Sequence, residues 1–304
     1  MMARLSSTNA VPVNAISPQA RVRTRPIVDS DIDAVAHLLV QGFRRSVHRD
    51  WLGIFDRLAK HPVPEGLPRY GYLMESEGAP VGVILLVGSR ISANDLSSTR
   101  CNLSSWYVSP AFRSYGHLFI SRILKNDDVT YINVSPAPHT LPLLQVQGFS
   151  RYSNGQFFAI TAPFVSPEDR RVRVALADGN VASLCGTEEH ELLLAHARYG
   201  CTSLWCLADD GTYPFVFRHR RVKGFVPCAQ LIYCRDIKEF VQFSGPIGRF
   251  LARRGMPLVM MDSNGRVPGL AGIYVDGMLP KYYKGSFRPR LGDLAYTETA
   301  LFGI

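Results

Sequence analysis

Residues 103–118 combine a strand-like run, a proline, an arginine and a glycine at spacings that suit an anion site. Extended character continues to Val108, and Pro110 then removes a ladder donor. The chain must turn sharply into a helix, and Gly116 lets the backbone pass closely. Amides at a helix start lack an internal partner and sit at the positive end of its dipole. Such a turn is a ready anion site, with Arg113 as a mobile charge at its mouth. The residues expected to line it are Val108, Arg113, Ser114, Tyr115, Gly116, His117 and Leu118. No Walker loop and no G-x-G-x-x-G run is present.

An ordinary strand-to-helix connection has the same ingredients, so the neighbouring elements decide. Residues 22–25 read as a strand, followed by a helix whose Ile32, Val35, Leu38, Leu39 and Phe43 share a face. A second helix surrounds residues 51–59. Residues 70–75 and 80–89 make a hairpin turning at Glu77-Gly78, and 101–108 is a further strand. A helix over 116–125, a buried strand over 129–134, a short helix over 141–147 and a strand over 156–163 complete the set. Residues 163–170, PFVSPEDR, have linker composition.

A looser copy of this order follows, from a strand at 172–176 to a Gly- and Tyr-rich tail over 269–304. The expected organisation is a flexible segment over 1–20, one domain over 21–163 and a second, degenerate one over 164–304. The fold class is α/β (α+β), a mixed, splayed sheet flanked by helices, with two similar halves in tandem.

Val108, Pro110, Arg113 and Gly116 stand as in V-x-P-x-x-R-x-x-G, and Gly148-Phe149 closes the fourth helix. Together with the element order, these residues resemble the GNAT acyltransferases over about residues 21–163. The resemblance implies a GNAT-type N-acetyltransferase that uses acetyl-CoA or another acyl-CoA as co-substrate. The pyrophosphate would rest on the amides of residues 113–118. The thioester carbonyl would face the backbone N–H of Val108 or its neighbour, where the fourth and fifth strands splay apart. Two positions depart from the pattern. Leu118 replaces the usual Gly or Ala, and Leu144 replaces the Tyr that protonates the leaving thiolate.

The acceptor implied is a small-molecule or peptide amine, which must lose a proton. Glu75, Tyr107, Tyr131 and His139 are the candidate catalytic residues, and Asp293 and Glu298 are possible acceptor contacts. Phe243-Ser-Gly-Pro-Ile-Gly248 is the expected second-half counterpart of the first loop, without its arginine. Lys281-Tyr282-Tyr283-Lys284-Gly285 suits a sheet edge packed on the other half. The competing reading is a non-catalytic acyl-CoA or small-ligand binding module.

Composition narrows the classes. The chain is 46% hydrophobic over 304 residues, enough for one large core or two ordinary ones. Its net charge of +9 is spread out apart from Arg218, Arg220, Arg221 and Lys223, and no RNP-like or zinc-finger spacing accompanies it. Neither nucleic acid nor a metal is expected as a partner. The apolar run over 81–87 is too short to span a bilayer and suits a buried strand. Residues 1–20 lack an apolar signal region and only weakly resemble a transit peptide. Cysteines 101, 185, 201, 206, 228 and 234 form no C-x-x-C pair, which suits reduced, mostly buried thiols in a cytoplasmic protein. Gly116→Glu should abolish CoA binding while the fold survives, checked by calorimetry and circular dichroism.

Overall fold

The computed structural model describes residues 21–43, 46–93, 96–161, 169, 171–177 and 187–303. The segment over 1–20, most of the linker over 163–170 and Cys185 lie outside the described residues. The first half runs β1 (Val22–Pro26), α1 (Ile32–Gly42), α2 (His48–Lys60), β2 (Gly71–Ser76), β3 (Ala79–Ala93) and β4 (Leu96–Val108). It continues with α3 (Gly116–Ile123), β5 (Val129–Asn133), α4 (Leu141–Val146) and β6 (Ser150–Ile160). The second half comprises β7 (Arg173–Leu176), α5 (Thr187–Arg198), β8 (Thr202–Ala208), β9 (Gly211–Val222) and β10 (Val226–Tyr233). It ends with α6 (Ile237–Gln242), α7 (Ser244–Ala252), β11 (Leu258–Ser263), β12 (Gly272–Lys284) and α8 (Glu298–Leu301).

Local signals produce these boundaries. In α1, Val35, Leu38 and Leu39 fall on one face and are buried. Gly148 takes φ of 82°, which ends α4, and the Phe149 N–H bonds back to the Leu144 carbonyl at 3.0 Å. That turn delivers Phe149 to the core. The apolar run over 81–87 is buried in the middle of β3.

The twelve strands among the described residues join one sheet, in the order β1-β2-β3-β4-β5-β12-β6-β11-β10-β9-β8-β7. The order reads the same from either end when β1–β6 are matched to β7–β12. Each half therefore lends its last strand to the other: β12 pairs with β5, and β6 with β11, both antiparallel. The tyrosine-rich segment expected at a sheet edge thus lies at the centre, between β5 and β6. One core beneath α1, α2 and α5 draws Leu39 and Phe55 from the first half and Leu193, Trp205, Ala300 and Leu301 from the second. On the opposite face, α3 and α4 cover one core and α6 and α7 another.

The seam between the exchanged strands is polar. Lys281 on β12 pairs with Asp262 on β11 at 2.9 Å, with both side chains almost wholly buried. Gln156 on β6 donates to the same carboxylate at 2.7 Å. Removing one member of a buried ion pair leaves a bare charge, at a cost of about 3–5 kcal/mol. Lys281→Met should lower stability by about that amount, and Lys281→Met/Asp262→Leu should restore most of it. Urea midpoints of the two variants would check this.

Candidate functional site

β4 and β5 run parallel and pair only from Thr99↔Val129 to Asn102↔Ile132. Beyond Asn102, β4 continues to Val108 with no strand on its β5 side. The two strands splay, as the resemblance implies. Within the splayed part β4 also bulges. Leu85 opposes Ser104 and Val83 opposes Tyr107, so β3 advances two residues where β4 advances three. Ser105 carries the extra turn at φ of 48°. A bulge of this kind twists the strand and re-aims its amides.

The fork is occupied by a side chain from the far end of the chain. The Glu298 carboxylate accepts hydrogen bonds from Ser104 on β4 and, at 2.5 Å, from Ser135 just after β5. The Glu298 N–H donates to the Asn102 side-chain oxygen at 3.0 Å. Glu298 is 6% exposed, and burial pushes its pKa up against the two hydroxyl hydrogen bonds and the charge of Lys281. The α8 segment is held from both halves. Arg57 on α2 donates to the Leu301 and Phe302 carbonyls, and Arg218 on β9 donates to the Ala300 carbonyl. Arg218, read from sequence within a basic surface cluster, is thus half-buried and structural.

The turn after β4 is tighter than its sequence suggests. Residues 110–115 form 3-10 turns that run straight into α3. Phe112 donates its N–H to the Ser109 carbonyl, and Gly116 donates its own to Arg113. The helical run therefore starts at Pro110, several residues before Gly116. Arg113, Ser114, His117 and Leu118 are exposed, Val108 and Tyr115 are half-buried, and Gly116 is buried. A Cβ on Gly116 would meet only the Trp106 ring, at 3.9 Å.

The four candidate catalytic residues do not converge. Glu75 is bound to Arg25 at 2.9 Å, at the β1–β2 edge. Tyr131 is buried under α3, donates its hydroxyl to the Ile123 carbonyl at 2.9 Å, and has its pKa pushed up by burial. Tyr107 points to the opposite face, toward the core beneath α1, where a Cβ on Gly42 would come within 2.4 Å of its ring. His139 is exposed in the 3-10 turn before α4. Leu144 is fully buried, so its position presents no group to the fork. Ser104, Ser135 and Asn102 carry no signal in the sequence, since their partner lies 163 or more residues away.

The second half repeats the geometry and then closes it. β10 and β11 pair in parallel only from Cys228↔Leu258 to Gln230↔Met260, and β10 bulges between Leu231 and Tyr233. Here the chain fills the splay with backbone. Cys234 donates its N–H to the Gly292 carbonyl at 2.9 Å, and Leu294 to Ile232 at 2.7 Å. Asp293 between them is fixed by buried Arg100 at 3.1 Å. Burial opposes its ionisation, but Arg100 and Arg290 hold its carboxyl below the usual range. The helix after β10 is α6, which the sequence reading missed, and Asp236 caps its start by accepting the Lys238 N–H. The expected counterpart loop, Phe243–Gly248, is instead the junction of α6 with α7 and the first turns of α7. A cavity of about 800 Å³ opens beside this second fork, with Arg90 and Arg288 on its walls as well as Glu188 and Glu191. Its lining includes Arg100 but not Ser104 or Glu298.

A mixed sheet with a splayed, bulged parallel pair in each half defines the class of fold. No protein-family model and no curated protein matches the sequence. Solved structures do. A candidate acetyltransferase from Pyrococcus horikoshii shares 13% identity over 96% of each chain, with a TM-score of 0.53. A GCN5-related N-acetyltransferase from Anabaena variabilis ATCC 29413 shares 13% identity over 86% of this chain and 72% of its own, at 0.56. One from Kribbella flavida shares 14% over 86% and 70%, at 0.51. The chain has the fold of the GCN5-related N-acetyltransferases, and the likeness extends across both halves. Among the described residues no helix is long and apolar enough to cross a membrane. The five described cysteines are unpaired and buried.

Because burial raises the Glu298 pKa, the folded protein keeps a proton that the unfolded chain releases. Stability from this group is fully present below the ordinary Glu value of about 4.3 and is lost as pH rises through the raised value. Glu298→Gln should flatten that fall and leave the protein at least as stable at neutral pH. Urea midpoints between acid and neutral pH would measure the slope.

Proposed function

We propose that the protein is an acyl-CoA-dependent N-acyltransferase that moves an acyl group, acetyl by default, onto an amine. The observation that carries this reading is the difference between the two forks. The first holds a buried carboxylate between its strands, whereas the second is laced shut by backbone hydrogen bonds. One chain would then bind one acyl-CoA.

The CoA would lie along β4 beyond Asn102, with its pyrophosphate toward the helical run that begins at Pro110 and toward Arg113. The thioester carbonyl would meet the bulged backbone between Ser105 and Val108, whose donors would stabilise the oxyanion. The amine nitrogen attacks the carbonyl carbon and its proton passes to Glu298. As the intermediate collapses the C–S bond breaks, and protonated Glu298 returns the proton to the CoA thiolate. Leu144 leaves that last step without the usual donor, and Glu298 is a carboxyl whose raised pKa suits both directions of transfer. Holding both reactants in one fork supplies much of the acceleration.

A binding module without turnover is the second reading. The buried Leu144 and the Gly116 amide bonded within its own turns favour it. Calorimetry with acetyl-CoA, paired with a free-thiol assay against a panel of amines, separates the two. Transfer predicts binding with CoA release. Glu298→Gln should keep acetyl-CoA affinity and lower turnover by about 10²-fold or more, the usual size of a lost general base. Binding without release on any amine would favour the module, and no binding would sink both.

A further inference from the structure

Three metal-ligating side chains converge where α1 meets α2, outside the fork. Asp33 and His37 stand one turn apart on α1, and His48 is the first residue of α2. Their ligating atoms all lie within 4.8 Å of one another. The His48 Nε2 is 3.2 Å from one Asp33 oxygen, and the His37 Nε2 is 3.8 Å from the other. The His48 Nε2 is shielded from solvent and makes no hydrogen bond of good geometry. The two imidazoles stack with centroids 4.1 Å apart.

Ion pairing explains this poorly. Asp33 is 76% exposed at its side chain, and such pairs contribute little. A shared cation explains it better. Zinc holds nitrogen at about 2.0–2.1 Å and oxygen at about 2.0–2.2 Å, so tetrahedral ligand atoms sit about 3.3–3.5 Å apart. The two distances, each to a different Asp33 oxygen, lie close to that spacing.

We propose that Asp33, His37 and His48 form a divalent transition-metal site of the zinc type, completed by water. Two imidazoles with one carboxylate suit zinc rather than magnesium or calcium. The exposure of Asp33 and His37 leaves the outer side open to that water. Asp50 accepts the Val47 N–H at 3.0 Å, which sets the start of α2 and the place of His48. A metal here ties α1 to α2, the helix whose Arg57 holds the α8 segment carrying Glu298. The site does not depend on acyl transfer.

The full chain, stripped with a chelator, is titrated with zinc chloride by calorimetry and followed by thermal unfolding. One ion per chain is expected, with a rise in Tm that magnesium does not reproduce. Cobalt in its place should give the visible bands of a tetrahedral site. His37→Ala and His48→Ala should each lose the heat and the bands. Asp33→Asn, which keeps the side-chain shape, should weaken both while the metal-free circular dichroism stays unchanged. No saturable zinc heat in the wild type would overturn the proposal. So would equal heat in the His37→Ala/His48→Ala variant, which would place the ion elsewhere.

Discussion

Two parallel strands that stop pairing before they end leave a row of backbone donors and acceptors without a ladder. Buried, such groups must find partners, because an unpaired one costs about as much as a lost hydrogen bond. Much of the arrangement around the sheet centre follows from that constraint, met twice. At β10 the chain answers it with its own backbone, through Gly292 and Leu294. At β4 side chains span the opening instead: the Asn102 amide donates to the Leu103 carbonyl, and Glu298 links the Ser104 and Ser135 hydroxyls and bonds the Asn102 side chain through its N–H. Side chains can be exchanged for a ligand more readily than a laced strand can, which is why the first fork is the functional candidate.

Strand exchange sets where those partners come from. Because β12 sits between β5 and β6, residues after Lys284 emerge beside the first half rather than at the end of the second. That placement lets residues 292–302 thread past both forks, with Asp293 at one and Glu298 at the other. Arg57 and Arg218 then grip α8 from opposite halves. The exchange also buries Lys281 with Asp262 at the seam, close enough for the lysine charge to bear on Glu298. An ion pair there costs desolvation, which its close geometry and the Gln156 hydrogen bond offset in part.

Much of the element order was legible from residue patterns. A continuous apolar run marked β3, the single apolar face marked α1, and Gly148-Phe149 marked the end of α4, because each signal acts within a few residues. The motif ending at Gly116 located the turn after β4, but not its tightness. Whether amides at 113–116 point outward or close 3-10 turns depends on how β4 delivers the chain. Tyr131 and Tyr107 illustrate the same limit. Their types suited proton transfer, yet strand parity and the bulge at Ser105 turned them to opposite faces of the sheet.

The sequence by itself determined a mixed α/β chain of two similar halves and one strand-turn-helix with an arginine and a glycine at its turn. These are consequences of local sterics, periodicity and capping, which act over a turn or a strand. Tertiary structure alone decided that the last strands change places, that the second fork is shut, and that Glu298 reaches the first. Those outcomes rest on pairings between residues far apart in the chain, Cys234 with Gly292, Tyr282 with Asn133 and Ser104 with Glu298 among them. No local pattern records such a contact, since its free energy exists only once the sheet has closed.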